Sequence, residues 1–164
     1  MIKEVVLSFL VATTSVDKVE VDKFRHTEAT CLAKNMYYEA RNQGLAGQLA
    51  VSLVVMNRVK DSRYPNTVCG VVEQGPTRES WKKDGTYYPI KNRCQFSWFC
   101  DGKSDNPEDS KNWLKCLTLA RNILQGEYGD ITEGATHYHS VYVNPYWADS
   151  LNQTVTINEH IFYK

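Results

Sequence analysis

The order of elements along the chain predicts an α+β domain with three main helices and a minor antiparallel sheet. Two helical patterns come early and a third follows an irregular middle. Strand-like alternation is strongest in the tail, so the helices and most of the strands are segregated rather than interleaved.

With 164 residues, the chain is long enough for one compact domain with a real core. Apolar residues make up 42% and charged residues 23%, ordinary for a globular protein. Lys plus Arg equals Asp plus Glu at 19 each. A charge-driven nucleic-acid binder normally carries a basic excess, so a nucleic-acid partner is not expected. Ten tyrosines and four tryptophans supply flat faces that suit sugar rings as well as core filling.

The elements follow in order. Residues 1–26 read as an N-terminal apolar segment plus linker, and residues 27–164 as the domain. Residues 5–14, VVLSFLVATT, have the length of a signal-peptide core and are too short for a stable membrane span. The alternative is a first strand or helix packed on the domain. Residues 15–26 are charged and read as the linker. The first helix is expected over residues 27–41, where Leu32, Ala33, Met36, Tyr37 and Ala40 recur at the spacing of one buried face. Gly44 stops it. The second helix, residues 45–59, is apolar nearly all round and is expected at the centre. Asn66 or Thr67 caps a short helix through Val72.

Gly75-Pro76 and Asp84-Gly85 mark an irregular stretch. In CQFSWFCDG (residues 94–102), Phe96, Trp98 and Cys100 alternate with Gln95 and Ser97, which predicts a strand ended by an Asp101-Gly102 turn. Asp105 or Asn106 caps the third long helix, with Pro107 at its first position. Its buried stripe is Trp113, Cys116, Leu117, Ala120 and Leu124, and Gly126 ends it. The tail carries strand-like alternation on both sides of Asn144-Pro145.

Five cysteines have no C-x-x-C spacing, so a structural zinc site is not expected. One or two disulfides are expected in an exported protein, with Cys69, Cys94 and Cys100 as the leading participants. Cys31 and Cys116 fall in helices and read as buried thiols.

The candidate acid is Glu39. A carboxylate in the last turn of a helix meets the partial negative charge of unpaired carbonyls. Apolar neighbours such as Tyr38 disfavour its ionised form. Both effects raise its pKa, and glycosidic cleavage needs a proton donor still protonated near neutral pH. Arg41 opposes the shift if its side chain turns that way.

Six blocks in order, AKNMYYEAR, GQLAVSLVVMNRV, YPNTVCGVV, CQFSWFCDG, GATHYH and HIFYK, resemble the SleB-type cell wall hydrolases, the catalytic domains of spore-cortex-lytic enzymes. The resemblance covers residues 27–164. It implies a small lysozyme-like fold and cleavage of peptidoglycan glycan strands between N-acetylmuramic acid and N-acetylglucosamine. It also implies Glu39 as catalytic acid, no metal or cofactor, and a product of the lytic-transglycosylase kind. That chemistry needs a single carboxylate, because the C6 hydroxyl of the substrate attacks the anomeric carbon. Asp101 is the nearest second candidate and reads as a turn residue.

Around Glu39 the expected substrate-binding residues are Tyr38, Gln95, Ser97, Thr136, His137, Tyr138, His139 and Trp147. If residues 136–139 form a strand, His137 and His139 share a face. With His160 they raise a second reading, a metal-dependent N-acetylmuramoyl-L-alanine amidase, against which stands the absence of H-E-x-x-H. A third reading is a wall-binding module without turnover. The expected setting is a monomer exported to the periplasm or cell wall, or a phage-encoded endolysin released there.

Overall fold

The computed structural model describes residues 7–164. The first residues of the expected signal segment, 1–6, lie outside the described residues. Among the described residues there are four helices: α1 (Leu7–Ala40), α2 (Leu45–Lys60), α3 (Val68–Val72) and α4 (Ser110–Leu124). Five strands accompany them: β1 (Thr77–Glu79), β2 (Tyr87–Pro89), β3 (His137–Ser140), β4 (Gln153–Ile157) and β5 (His160–Tyr163). The fold is α+β with three long helices and small antiparallel sheets, as the sequence predicts.

The first helix is longer than expected. No glycine or proline interrupts residues 7–40, so nothing in the backbone stops the helix, and the charged linker expected over residues 15–26 is drawn into α1. Among the described residues, no helix is long and apolar enough to cross a membrane.

Helix α1 packs on α4, α2 and α3. Leu32 and Met36 of α1, Val55 of α2, Val71 and Val72 of α3, and Cys116 and Ala120 of α4 meet in one core, each at most 1% exposed. Helix α2 buries every residue from Leu49 to Val55, as its unbroken apolar run requires. On α4 the buried stripe is Cys116, Leu119, Ala120 and Ile123. Trp113, Leu117 and Leu124 flank it, half-buried. Helix α4 starts later than Pro107 would place it: Asp109 is the cap, its Oδ1 accepting from the Asn112 amide at 3.0 Å.

Two disulfides are present. Cys31 of α1 joins Cys69 of α3, so Cys31 is not the buried thiol expected of it. Beside it, Glu28 accepts from the amides of Val68 and Cys69 at 2.6 and 3.2 Å. The carboxylate thus holds the start of α3 while the disulfide holds its flank. Cys94 joins Cys100, and Cys116 is free and buried.

The Cys94–Cys100 bridge explains a second correction. As a strand, six residues would separate these α-carbons by about 20 Å; the bridge holds them at 6.0 Å. The segment coils instead, ending in a 3-10 turn over Ser97–Cys100. The in-and-out alternation survives: Phe96 and Trp98 are buried, Gln95 and Ser97 exposed.

Strands β1 and β2 form a separate ribbon inside the stretch expected to be irregular. All six of its strand residues are exposed, so no apolar alternation marked it in the sequence. The second sheet has the order β3-β5-β4, antiparallel throughout. Phe162 at its centre is fully buried against Ala50 and Val54 of α2 and against Ala135. This contact sets the sheet beside the end of α1 that carries Glu39.

Candidate active site

Glu39 occupies the penultimate position of α1, one residue before the helix ends at Ala40. The chain turns through residues 41–43, and Gly44, in an extended backbone, precedes the first residue of α2. Tyr138 reaches Glu39 from β3, its hydroxyl donating to Oε2 at 2.8 Å across 99 residues of sequence. Tyr138 lies between His137 and His139 on β3, so the strand turns it to one face and the two histidines to the other. Its ring packs on Phe162 at 5.6 Å and meets the edge of His160 at 5.2 Å, which fixes the hydroxyl.

The Glu39 carboxyl is held above its ordinary pKa, chiefly by burial. The Tyr138 hydrogen bond and the charge of Arg58 act the other way. Arg41 does not enter this balance, because its guanidinium lies over the Tyr37 ring, 5.0 Å from the centroid. The cation that matters is Arg58 of α2, 6% exposed. Its Nε donates to the Thr136 carbonyl at 2.7 Å. The guanidinium sits 5.5 Å from the Phe96 ring and 5.3 Å from that of Tyr64. Its Nη1 is buried without a hydrogen-bond partner among the described residues.

Arg58 was not among the residues expected at the site, nor was its neighbour Asn57. The Asn57 amide donates to Asp130, Thr132 and the Ala135 carbonyl at 2.9–3.2 Å. Together the pair ties α2 to the segment leading into β3, and so places Tyr138. The signal was present: Asn-Arg interrupts an otherwise apolar helix, and a polar pair there requires buried partners.

The remaining expected residues divide. Thr136 is buried and takes part through its backbone, while its hydroxyl pairs with His137 Nδ1 at 3.0 Å. His137 is half-buried, its pKa lowered by burial and by the charges of Arg58 and Arg63. His139 is buried with both nitrogens occupied. Nδ1 meets the Ser140 carbonyl at 2.8 Å and therefore carries the proton; Nε2 accepts from the Tyr163 hydroxyl at 2.8 Å. Such a histidine is structural. Trp147 covers both histidines, with centroids 5.4 and 5.6 Å away. Tyr38 stacks on Trp98 at 4.8 Å, and Trp98 donates to Asn35 at 3.0 Å. Gln95 and Ser97 are exposed, and among the described residues their side chains make no hydrogen bonds. Their link to the acid runs through Phe96, which lies against Arg58.

The expected trio of His137, His139 and His160 does not form a donor set. Among the described residues no three His, Cys, Asp or Glu side chains converge as metal ligands. Asp101 behaves as a turn residue, its Oδ1 accepting from the Lys103 amide at 2.8 Å. The carboxyls of Glu73 and Asp105 are also raised by burial, but both face Lys34 and neither acts on Glu39.

Tyr138→Phe is expected to shift the pH profile in a stated direction. The hydroxyl stabilises ionised Glu39, so its loss raises the pKa of the acid further. The alkaline limb of kcat/KM then moves to higher pH, with a loss of about tenfold or less at the optimum. A limb that stays in place would detach Tyr138 from the titrating group.

A family model described as Cell Wall Hydrolase matches residues 42–163 of the chain. Two curated relatives are spore cortex-lytic enzymes. The one from Bacillus cereus is 33% identical over 69 residues, and the one from Bacillus subtilis 34% over 65. These matches cover 42% and 40% of this chain but only 26% and 21% of the relatives' own length. Among solved structures, the catalytic domain of the Bacillus cereus SleB protein superposes with a TM-score of 0.56 at 25% identity, covering 84% of this chain and 89% of that one. The catalytic domain of the germination-specific lytic transglycosylase SleB from Bacillus anthracis gives 0.57 at 26%, covering 84% and 93%. The family model begins three residues after Glu39, so the case for that residue rests on its surroundings.

Proposed function

We propose, since this chain belongs to the cell wall hydrolase family, that it cleaves peptidoglycan glycan strands with Glu39 as its only acid and base. The observation that carries this reading is one carboxyl, its pKa raised by burial and its Oε2 gripped by Tyr138, with no second carboxylate acting on it among the described residues. A hydrolase that inverts or retains through two carboxylates needs the second at a set separation. A lytic transglycosylase does not.

In this scheme Glu39 gives its proton to the oxygen bridging C1 of N-acetylmuramic acid and C4 of N-acetylglucosamine, and the C1–O bond breaks. Arg58 and the Tyr138 hydroxyl stabilise the carboxylate that results. That carboxylate then takes the proton of the C6 hydroxyl as its oxygen closes on C1. The acid is restored, no water is consumed, and the product ends in 1,6-anhydro-muramic acid. Arg58 is buried and held on the Thr136 carbonyl, so it acts on the acid through its charge. Tyr38, Gln95, Ser97 and Trp147 are proposed to bind neighbouring sugars.

Mass spectrometry of digested sacculi tests the scheme. Anhydro-muramic ends are expected, at the same yield in EDTA. Reducing muramic ends would replace the internal attack with water. Free lactyl groups lost on chelation would transfer the assignment to an amidase.

A further inference from the structure

The β1–β2 ribbon has no role in the chemistry above, yet it presents large aromatic side chains to solvent. Trp81 is 87% exposed, Tyr87 60% and Tyr88 53%. A tryptophan so exposed gives nothing to the core, and three such rings on one short ribbon form a surface rather than scattered residues. The charge is also uneven. Residues 77–93 carry five basic side chains against two acidic ones, on a chain whose net charge is zero. A concavity of about 560 Å³ lies at the ribbon's end, lined by Trp81 and Tyr88 with Arg78, Lys82 and Asp84 around them. That volume is within the range of pockets that hold a small organic ligand.

The ribbon is rooted in the wall of the candidate active site. Its outgoing strand returns through the Ile90 amide, which donates to the Pro76 carbonyl at 2.9 Å. The Asn92 and Gln95 amides then donate to the carbonyls of Cys100 and Gln74, each at 2.9 Å. Gly75, just before β1, lies so close to Cys94 that a β-carbon there would sit 2.9 Å from the Cys94 α-carbon. The Cys94–Cys100 loop therefore joins the ribbon on one side to Phe96 and Arg58 on the other.

We propose that this ribbon is an accessory peptidoglycan-binding arm, which takes a stretch of the glycan strand outside the cleavage site. Trp81 and Tyr88 offer faces to the amino-sugar rings. Lys82, Lys83 and Arg78 meet the carboxylates of the stem peptides that project from the strand. Continuity with the catalytic wall and complementary charge together select this occupant. The proposal rests on the peptidoglycan reading of the site but not on Glu39 being the acid.

Co-sedimentation with purified sacculi tests it, using full-length chain carrying Glu39→Gln so that the polymer stays intact during the measurement. Trp81→Ala in that background is expected to weaken retention by about tenfold, the loss typical of one well-used aromatic contact. Lys82→Glu with Lys83→Glu is expected to weaken it comparably and to remove most of its salt sensitivity. Thermal unfolding of each variant should match the parent, because all three side chains are exposed. Equal retention of parent and variants would overturn the proposal, as would a parent that does not sediment with sacculi. Wall clearing by Glu39→Gln would sink the single-acid scheme and would show up as dissolved polymer, a result separate from the retention ratio.

Discussion

Glu39→Gln is expected to reduce the clearing of purified cell walls by about three orders of magnitude, because in the proposed scheme the same carboxyl serves both proton transfers. Glutamine keeps the shape and can still accept from Tyr138, but it has no proton to give. Stability should move the other way. The folded protein raises the pKa of Glu39, so it holds that proton more tightly than the unfolded chain does. The resulting stabilisation is complete below the unfolded pKa and is lost as pH climbs through the folded one. An ionised, buried Glu39 is therefore a cost at neutral pH, and glutamine removes it. Urea unfolding at neutral pH should show the variant at least as stable as the parent, with a flatter dependence on pH. Turbidity that falls at the parental rate would take Glu39 out of the reaction. A variant that is dead because it is unfolded would show Glu39 to be structural.

Replacing Cys31 and Cys69 together by alanine is expected to cost about 4 kcal/mol, the chain-entropy value for a closed loop spanning 38 residues. The effect reaches beyond α3, since the same two helices are joined by Glu28, and loosening one tie strains the other. Removing Cys94 and Cys100 opens a much shorter loop, of separation 6, and should cost about 2 kcal/mol. That change instead frees Phe96 from its place against Arg58. Denaturant midpoints rank the two pairs, and equal shifts would mean that loop length does not govern them. Wall-clearing rates separate them again: the short-loop variant should lose more activity per unit of stability lost.

The parts of the fold that could be read from the sequence are those with a repeating burial pattern. Helix α2 was visible because its apolar run is dictated by burial; on α4 the helix was visible, and Cys116 and Ala120 lie in its buried stripe, but Leu119 and Ile123 complete that stripe in place of Trp113, Leu117 and Leu124. The β1–β2 ribbon was invisible for the converse reason, since it buries no face. The strand expected at residues 94–100 shows how alternation misleads: side chains can alternate in and out along a coil that a covalent bridge has shortened. At the candidate site, Glu39 and Tyr138 were both named from the sequence, but their contact was not, because it joins elements 99 residues apart. The two histidines drew attention as possible ligands, whereas the strand's period gives the tyrosine between them to Glu39. Arg58 was hidden in a helix read only for its hydrophobicity, where its charge was the informative exception.

Cys116 lies at the centre of the main core, 1% exposed, and burial pushes its thiol pKa up to about 11. Disulfide exchange proceeds through thiolate, so in the native state this sulfur is neither ionised nor reachable. Once the helices have closed over it, the other four cysteines can pair in only a few ways, and no free nucleophile remains to reshuffle them. An odd thiol in an oxidising compartment ordinarily invites mixed dimers and scrambled bridges. Here, hydrophobic packing does the work of a protecting group.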